Sequence, residues 1–203
     1  RNASASALNR WRKERFMFIQ TETTPNPSTL KFLPGQSVLG QCALEFHEPS
    51  AAEKAPLAQA LLGIKGVKAV MYGSDFVSVT KDETDWAHLK PAILGTIMEH
   101  FTSGAPLLTD PNASPSEGQE NEFFDPADEQ IVATIKELIE TRVRPAVAND
   151  GGDIVFKGYK DGIVYLGMKG ACSGCPSSTA TLRNGIENLL RHFLPEIKSV
   201  EKI

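Results

Sequence analysis

Between Thr102 and Asn121 the chain gathers Gly104, Pro106, Pro111, Pro115 and Gly118 among serines and acidic residues, with almost nothing to bury. A stretch of this kind cannot enter a packed core. It cuts the 203 residues into two pieces, each long enough for a small domain with a modest core. The expected organisation is a basic leader over 1–15, a domain over 16–103, a linker over 104–124 and a second domain over 125–203. The predicted fold class is α+β: two small α/β domains joined by a flexible acidic linker and moving independently on that tether.

Within the first piece, Met17 to Thr23 and Leu30 to Leu33 read as short strands. They are separated by Thr24-Pro25-Asn26-Pro27-Ser28, a strong turn signal. Pro56 opens a helix through Leu62, and Gly66 ends the loop after it. Val67 to Tyr72 and Phe76 to Thr80 alternate as strands about the Gly73-Ser74-Asp75 turn. Asp85 is placed to cap a helix carrying Leu89, Ile93, Ile97 and Phe101, with Pro91 as a bend or an early turn.

The second piece predicts the order α-β-β-α-β. Asp125 and Pro126 suit a helix start, and Ile131, Ile135, Leu138, Ile139 and Val143 form an apolar stripe that Pro145 should end. Ile154 to Phe156 begins a strand, and Asp161-Gly162 turns it back into Ile163 to Met168. A helix follows from Thr179 with Leu182, Ile186, Leu189, Leu190 and Phe193 on its core face. Ile197 to Ile203 can add a last strand.

The leader carries Arg1, Arg10, Arg12, Lys13 and Arg15 against a single acid, Glu14. It is equally consistent with an organellar targeting sequence and with a disordered remnant. Over the whole chain the charge is mixed, with 25 acidic against 21 basic residues, which leaves no basic footprint for a nucleic-acid partner. No apolar run approaches the roughly 20 residues that span a bilayer, so a soluble chain with no membrane partner is expected. Three cysteines do not make a disulfide framework and suit a reducing compartment.

Two of those cysteines carry the chemistry. Gly170-Ala171-Cys172-Ser173-Gly174-Cys175-Pro176-Ser177-Ser178 places a CxxC pair between a strand end and a helix start. Helix N–H groups and the positive helix end should favour thiolate over thiol there, and Gly170 and Gly174 let the backbone wrap a ligand closely. Two thiolates cannot complete a tetrahedral site alone. Three functional readings and one bland one compete: an iron–sulfur cluster held by the CxxC loops of two copies, a dithiol/disulfide oxidoreductase or redox switch, a structural zinc shared in the same way, and two thiols with no ligand. The redox reading expects its motif near the start of a βαβ unit, and zinc expects a second Cys or His pair in the same domain. On spacing the shared cluster ranks first.

The remaining candidates read plainly. Cys42 suits a small buried thiol. His47, His88, His100 and His192 have no mutual spacing that makes a site. Asp150 and Asp153 lack the spacing and terminal Glu of a calcium loop, and Gly151-Gly152 reads as backbone geometry near the CxxC loop.

Arg144-Pro145, Asn149-Asp150-Gly151-Gly152-Asp153, the nine residues Gly170 to Ser178 and Thr181-Leu182 resemble the C-terminal domain of the NifU family. Met17-Phe18-Ile19-Gln20-Thr21, Thr24-Pro25-Asn26-Pro27, Leu30-Lys31-Phe32, Val67 and Tyr72-Gly73-Ser74-Asp75-Phe76 are similar to the Nfu N-terminal domain. The resemblance covers roughly residues 16 to 203. It implies an iron–sulfur scaffold or carrier rather than an enzyme. The implied cofactor is a [4Fe-4S] cluster, sometimes [2Fe-2S], bound by Cys172 and Cys175 of each chain in a homodimer. The implied partners are apo iron–sulfur proteins such as lipoyl synthase as recipients, and upstream assembly proteins as donors. The implied location is the mitochondrial matrix, with the bacterial cytoplasm as the alternative. For the first domain, partner docking, control of dimerisation and a plain structural role all remain open.

Overall fold

The computed structural model describes residues 18–40, 43–110, 122–174 and 176–203. The leader, the middle of the linker, Cys42 and Cys175 lie outside them. The first domain orders its elements β1 (Gln20–Thr23), β2 (Thr29–Leu33), β3 (Leu44–Phe46), α1 (Pro56–Leu62), β4 (Val67–Tyr72), β5 (Val77–Lys81) and α2 (Trp86–Ser103). The strands form one antiparallel sheet in the order β1-β2-β5-β4-β3. Period-two alternation sends Leu30, Phe32, Phe46, Val70, Tyr72, Val77 and Val79 to one face. There they pack with Leu57, Leu61, Leu89, Ile93 and Ile97 from the helices into the first core.

Helix α1 begins without a side-chain cap from Ala55. Its buried Ala58 N–H donates instead to the Tyr72 hydroxyl at 2.6 Å. Asp85 caps α2 through its carboxylate, which accepts from Ala87 N–H at 2.9 Å. The helix runs through Pro91 and ends at Gly104 in a left-handed conformation (φ 72°), the usual glycine stop. Residues 105–110 still belong to the first domain's surface: Leu107 and Leu108 pack on its core, and Thr109 N–H donates to Lys54 O at 2.8 Å.

The second domain has the expected α-β-β-α-β order. After a short 3-10 turn at Pro126–Asp128 come α3 (Glu129–Leu138), a π-helical turn at Ile139–Val143, α4 (Arg144–Asn149), β6 (Gly152–Lys160), β7 (Ile163–Gly170), α5 (Pro176–Phe193) and β8 (Ser199–Lys202). Pro145 therefore does not end the helix. A proline ring collides with the carbonyl four residues back, here that of Thr141, and removes one N–H donor. The π turn widens the ladder over Thr141, and the helix continues. Asp161 (φ 54°) and Gly162 (φ 86°) close the β6–β7 hairpin, as a tight two-residue turn requires. β8 returns parallel to β7.

The second core gathers Ile135, Ile154, Val164, Leu166, Ile186, Leu190 and Val200. Phe193 does not join it, being 44% exposed with the Arg142 guanidinium 5.3 Å from its ring. At the other end Phe123 pairs with the Gly158 bulge, its N–H donating to Lys157 O at 3.1 Å. The domains expected to move independently on a tether are here in contact, with β4 and β5 of the first sheet against β7.

Candidate metal centre

The site is the loop that leaves β7. Gly170 turns it with a left-handed φ of 62°, and a short set of bonds holds it there. Ser173 donates to Gly170 O through both N–H (3.1 Å) and hydroxyl (2.8 Å). Ala171 N–H donates to Gly151 O at 3.2 Å. Thr179 Oγ1 donates to Cys172 O at 3.0 Å, and Lys202 Nζ to Ser173 O at 2.8 Å. The loop is thus tied to both neighbouring strands and to the first turns of α5.

Cys172 packs into the second core and is buried. Its sulfur lies against Gly152, where a Cβ would come within 2.4 Å of Sγ. Gly151-Gly152 is therefore the backbone wall of the thiol. That wall is anchored from behind. The Arg144 guanidinium donates to both oxygens of the buried Asp153 carboxylate, at 2.8 and 3.0 Å, and to Glu140 at 2.7 Å. This two-point pairing holds Arg144 protonated, its pKa raised first by the hydrogen bond to Asp153.

The thiol differs from its expected state. Burial pushes the Cys172 pKa from 9.0 up to about 12, and the Asp150 and Asp153 carboxylates add to the rise, against a smaller opposing pull from Lys202. Desolvation is the largest cause, and it acts in the direction opposite to the thiolate preference expected of a helix end. A thiol of this kind is protonated at neutral pH and is a poor nucleophile, unlike the activated cysteines of dithiol oxidoreductases.

Cys172 also borders a groove of about 640 Å³ between α4 and α5, lined by Val143, Ala146, Val147, Leu182, Ile186 and Leu189. Among the described residues no three His, Cys, Asp or Glu side chains converge as a metal-binding group. Also among the described residues, no helix is long and apolar enough to cross a membrane.

Sequence reasoning missed the first domain's share of this site. The Glu45 carboxylate accepts from Gly170 N–H at 2.9 Å, and Lys31 Nζ donates to Asn149 O at 3.3 Å. Pro25 reaches the groove beside Cys172. The signal was available in β2, where a lysine stands between Leu30 and Phe32, but nothing local says what it faces.

Comparison with known families gives this two-domain α+β chain its class, that of scaffold proteins. Residues 19–104 match the family described as Scaffold protein Nfu/NifU N terminal, and residues 135–201 match the NifU-like domain. The chain belongs to the Nfu/NifU scaffold family. It is 50% identical over 191 residues to the human "NFU1 iron-sulfur cluster scaffold homolog, mitochondrial", covering 93% of this chain and 73% of that one. It is 48% identical over 193 residues to the Drosophila virilis protein of the same name, where it spans 93% of this chain and 62% of the relative. A solution structure of a NifU-like protein from Saccharomyces cerevisiae aligns at 27% identity and a TM-score of 0.40, over 46% of this chain and 86% of that one.

Proposed function

We propose that this chain is a mitochondrial iron–sulfur cluster carrier in which Cys172 and Cys175 of two copies hold one shared [4Fe-4S] cluster for delivery to apo-proteins. The observation that carries the reading is the setting of Cys172. Its sulfur meets the backbone of a glycine wall on one side and borders an apolar groove on the other. Thiolate ligation in a low-dielectric pocket with backbone close by is the environment iron–sulfur clusters use. The names of the relatives supply the cargo and the organelle, and the matrix is the compartment proposed.

Each CxxC motif offers two sulfurs, so four thiolates from this motif require two chains. Such a site opens when the chains separate or when incoming thiolates displace Cys172 and Cys175 one at a time, and both routes suit delivery. The high pKa of Cys172 fits a carrier between loads: the empty thiol stays protonated and unreactive, and ligation releases its proton. Recipients are apo iron–sulfur enzymes of the lipoyl synthase type, and upstream assembly proteins supply the cluster.

Anaerobic reconstitution with iron and sulfide, read by Mössbauer spectroscopy with iron, sulfide and mass per particle, tests this directly. A [4Fe-4S] signal at one cluster per two chains, lost in both Cys172→Ser and Cys175→Ser, is expected. A monomer without cluster that instead forms a reversible Cys172–Cys175 disulfide would sink the reading.

A further inference from the structure

The first domain's sheet has a second face, and apart from Met71 the row across it is polar. One cross-strand row runs through all five strands in register: Glu22 opposite Lys31, Lys31 opposite Ser78, Ser78 opposite Met71, and Met71 opposite Glu45. Helices cover the other face, so an antiparallel sheet of this pattern ordinarily leaves this one solvated. Yet Lys31 is only 6% exposed, Ser78 1% and Met71 1%. The Ser78 hydroxyl is buried with no hydrogen-bond partner, a cost that a permanently buried face rarely keeps.

What covers this row is the CxxC loop and the glycine wall beside it. Glu45 and Lys31 bond to Gly170 and Asn149 respectively. A Cβ at Gly170 would lie 2.9 Å from the Met71 sulfur, one at Gly151 would lie 3.0 Å from Thr24 Cγ2, and one at Gly174 would lie 3.0 Å from Asn26 Nδ2. The loop fits against the first domain because those positions carry no side chain. The fit is incomplete alongside, where a cleft of about 340 Å³ separates Ser74 and Phe76 from Arg144 and Asp153. A partly open contact between domains, crossed by the Glu45 and Lys31 hydrogen bonds, is a separable one.

We propose that the outer face of the first domain's sheet is a docking surface for the CxxC loop of its own chain, and that it competes with a second copy for that loop. This rests on the reading that the cluster is shared between two copies. In the closed chain Pro25 and Asn26 stand beside Cys172 and Gly174, on ground that the partner's loop needs. Loading a cluster therefore requires the first domain to swing off, which returns Lys31, Ser78 and Met71 to water. The first domain acts as a cover for the empty thiol and as a brake on dimerisation.

Lys31 reports the contact at a distance from the thiol chemistry. The full chain is labelled briefly and anaerobically with an amine-reactive ester, and Lys31 is read by peptide mass spectrometry. Cluster-free protein labels slowly at Lys31. Glu45→Ala in the cluster-free state, and the cluster-loaded wild type, each label Lys31 about fivefold faster or more, as release of a buried lysine to solvent implies. Glu45→Gln, which keeps the shape of the edge strand, gives a smaller increase and stands in if the alanine variant fails to fold. Equal labelling of Lys31 in cluster-free and cluster-loaded wild type overturns the competition, and an unchanged rate in both Glu45 variants overturns the docking contact. A wild type that takes up no cluster overturns the shared-cluster reading and the competition with it, while the cluster-free variants still decide the contact.

Discussion

A methyl group at Gly152 would meet Cys172 Sγ at 2.4 Å and Lys169 O at 3.0 Å, with backbone on one side and the candidate ligand on the other. The sulfur is the part that can yield, so Gly152→Ala should turn the thiol away from the groove at a modest cost in stability, about 1–3 kcal/mol. Cluster loading should fall much further than the denaturation midpoint, as iron per chain after anaerobic reconstitution will show. Arg144 acts one step behind. Arg144→Ala leaves the Asp153 carboxylate buried without its two donors, which costs about 3 kcal/mol. Arg144→Lys, with one point charge in place of a planar fork, should recover only part of this in a urea titration. A midpoint unmoved by Arg144→Ala would remove the pair from the account. Much of this site was legible beforehand: the CxxC motif singled out Cys172, and Gly151-Gly152 read as backbone near it. The protonated state of Cys172 was not, because it depends on burial by residues far off in sequence. Nor were Glu45 and Lys31, which reach the loop across more than a hundred positions of chain.

Elements start and stop here for reasons of uneven visibility. The hairpin at Asp161-Gly162, the cap at Asp85 and the helix at Pro56–Leu62 stand where local chemistry put them. Strand β3 escaped notice because three residues, Leu44–Phe46, are too few for alternation to declare itself. Pro145 misled because its rule assumes a regular ladder, and the π turn at Ile139–Val143 relaxes that assumption. That π turn also precedes Arg144, so the irregularity sits next to the residue that holds the glycine wall. The start of α1 was read correctly from Pro56, but the acceptor for its Ala58 N–H was hidden, because it comes from β4. Tyr72→Phe keeps the packing but leaves the Ala58 N–H buried and unpaired, so it should destabilise the first domain by about 1–3 kcal/mol. Thermal melting checks this, and a melting temperature within error of wild type would mean that the helix start finds another acceptor.

On the scale of the whole molecule, two separate cores meet through a contact that carries the Glu45 and Lys31 hydrogen bonds. Chains built this way melt in more than one step, since a single cooperative transition belongs to a single domain. The Tyr72→Phe loss should then appear in one transition and the Arg144→Ala loss in the other. The histidine at the end of α2 allows the same separation by pH. His100 lies in the first domain, is nearly buried, and its Nε2 has no hydrogen-bond partner. Burial lowers its pKa below the ordinary 6.5, because the charged form is the one that suffers from desolvation. The sign follows from proton counting. Below 6.5 the unfolded chain takes up a proton that folded His100 refuses, so acid stabilises the unfolded state. The effect is absent above 6.5, grows as the pH falls, and levels off once the pH passes the lowered folded value. Calorimetric scans from pH 7.5 down to about pH 5.5 should therefore show the first domain's transition moving to lower temperature. His100→Gln, which cannot charge, should remove this histidine's part of the shift and leave the second domain's transition where it was. A shift of the first transition that is the same size in His100→Gln and wild type would assign the acid sensitivity to other groups.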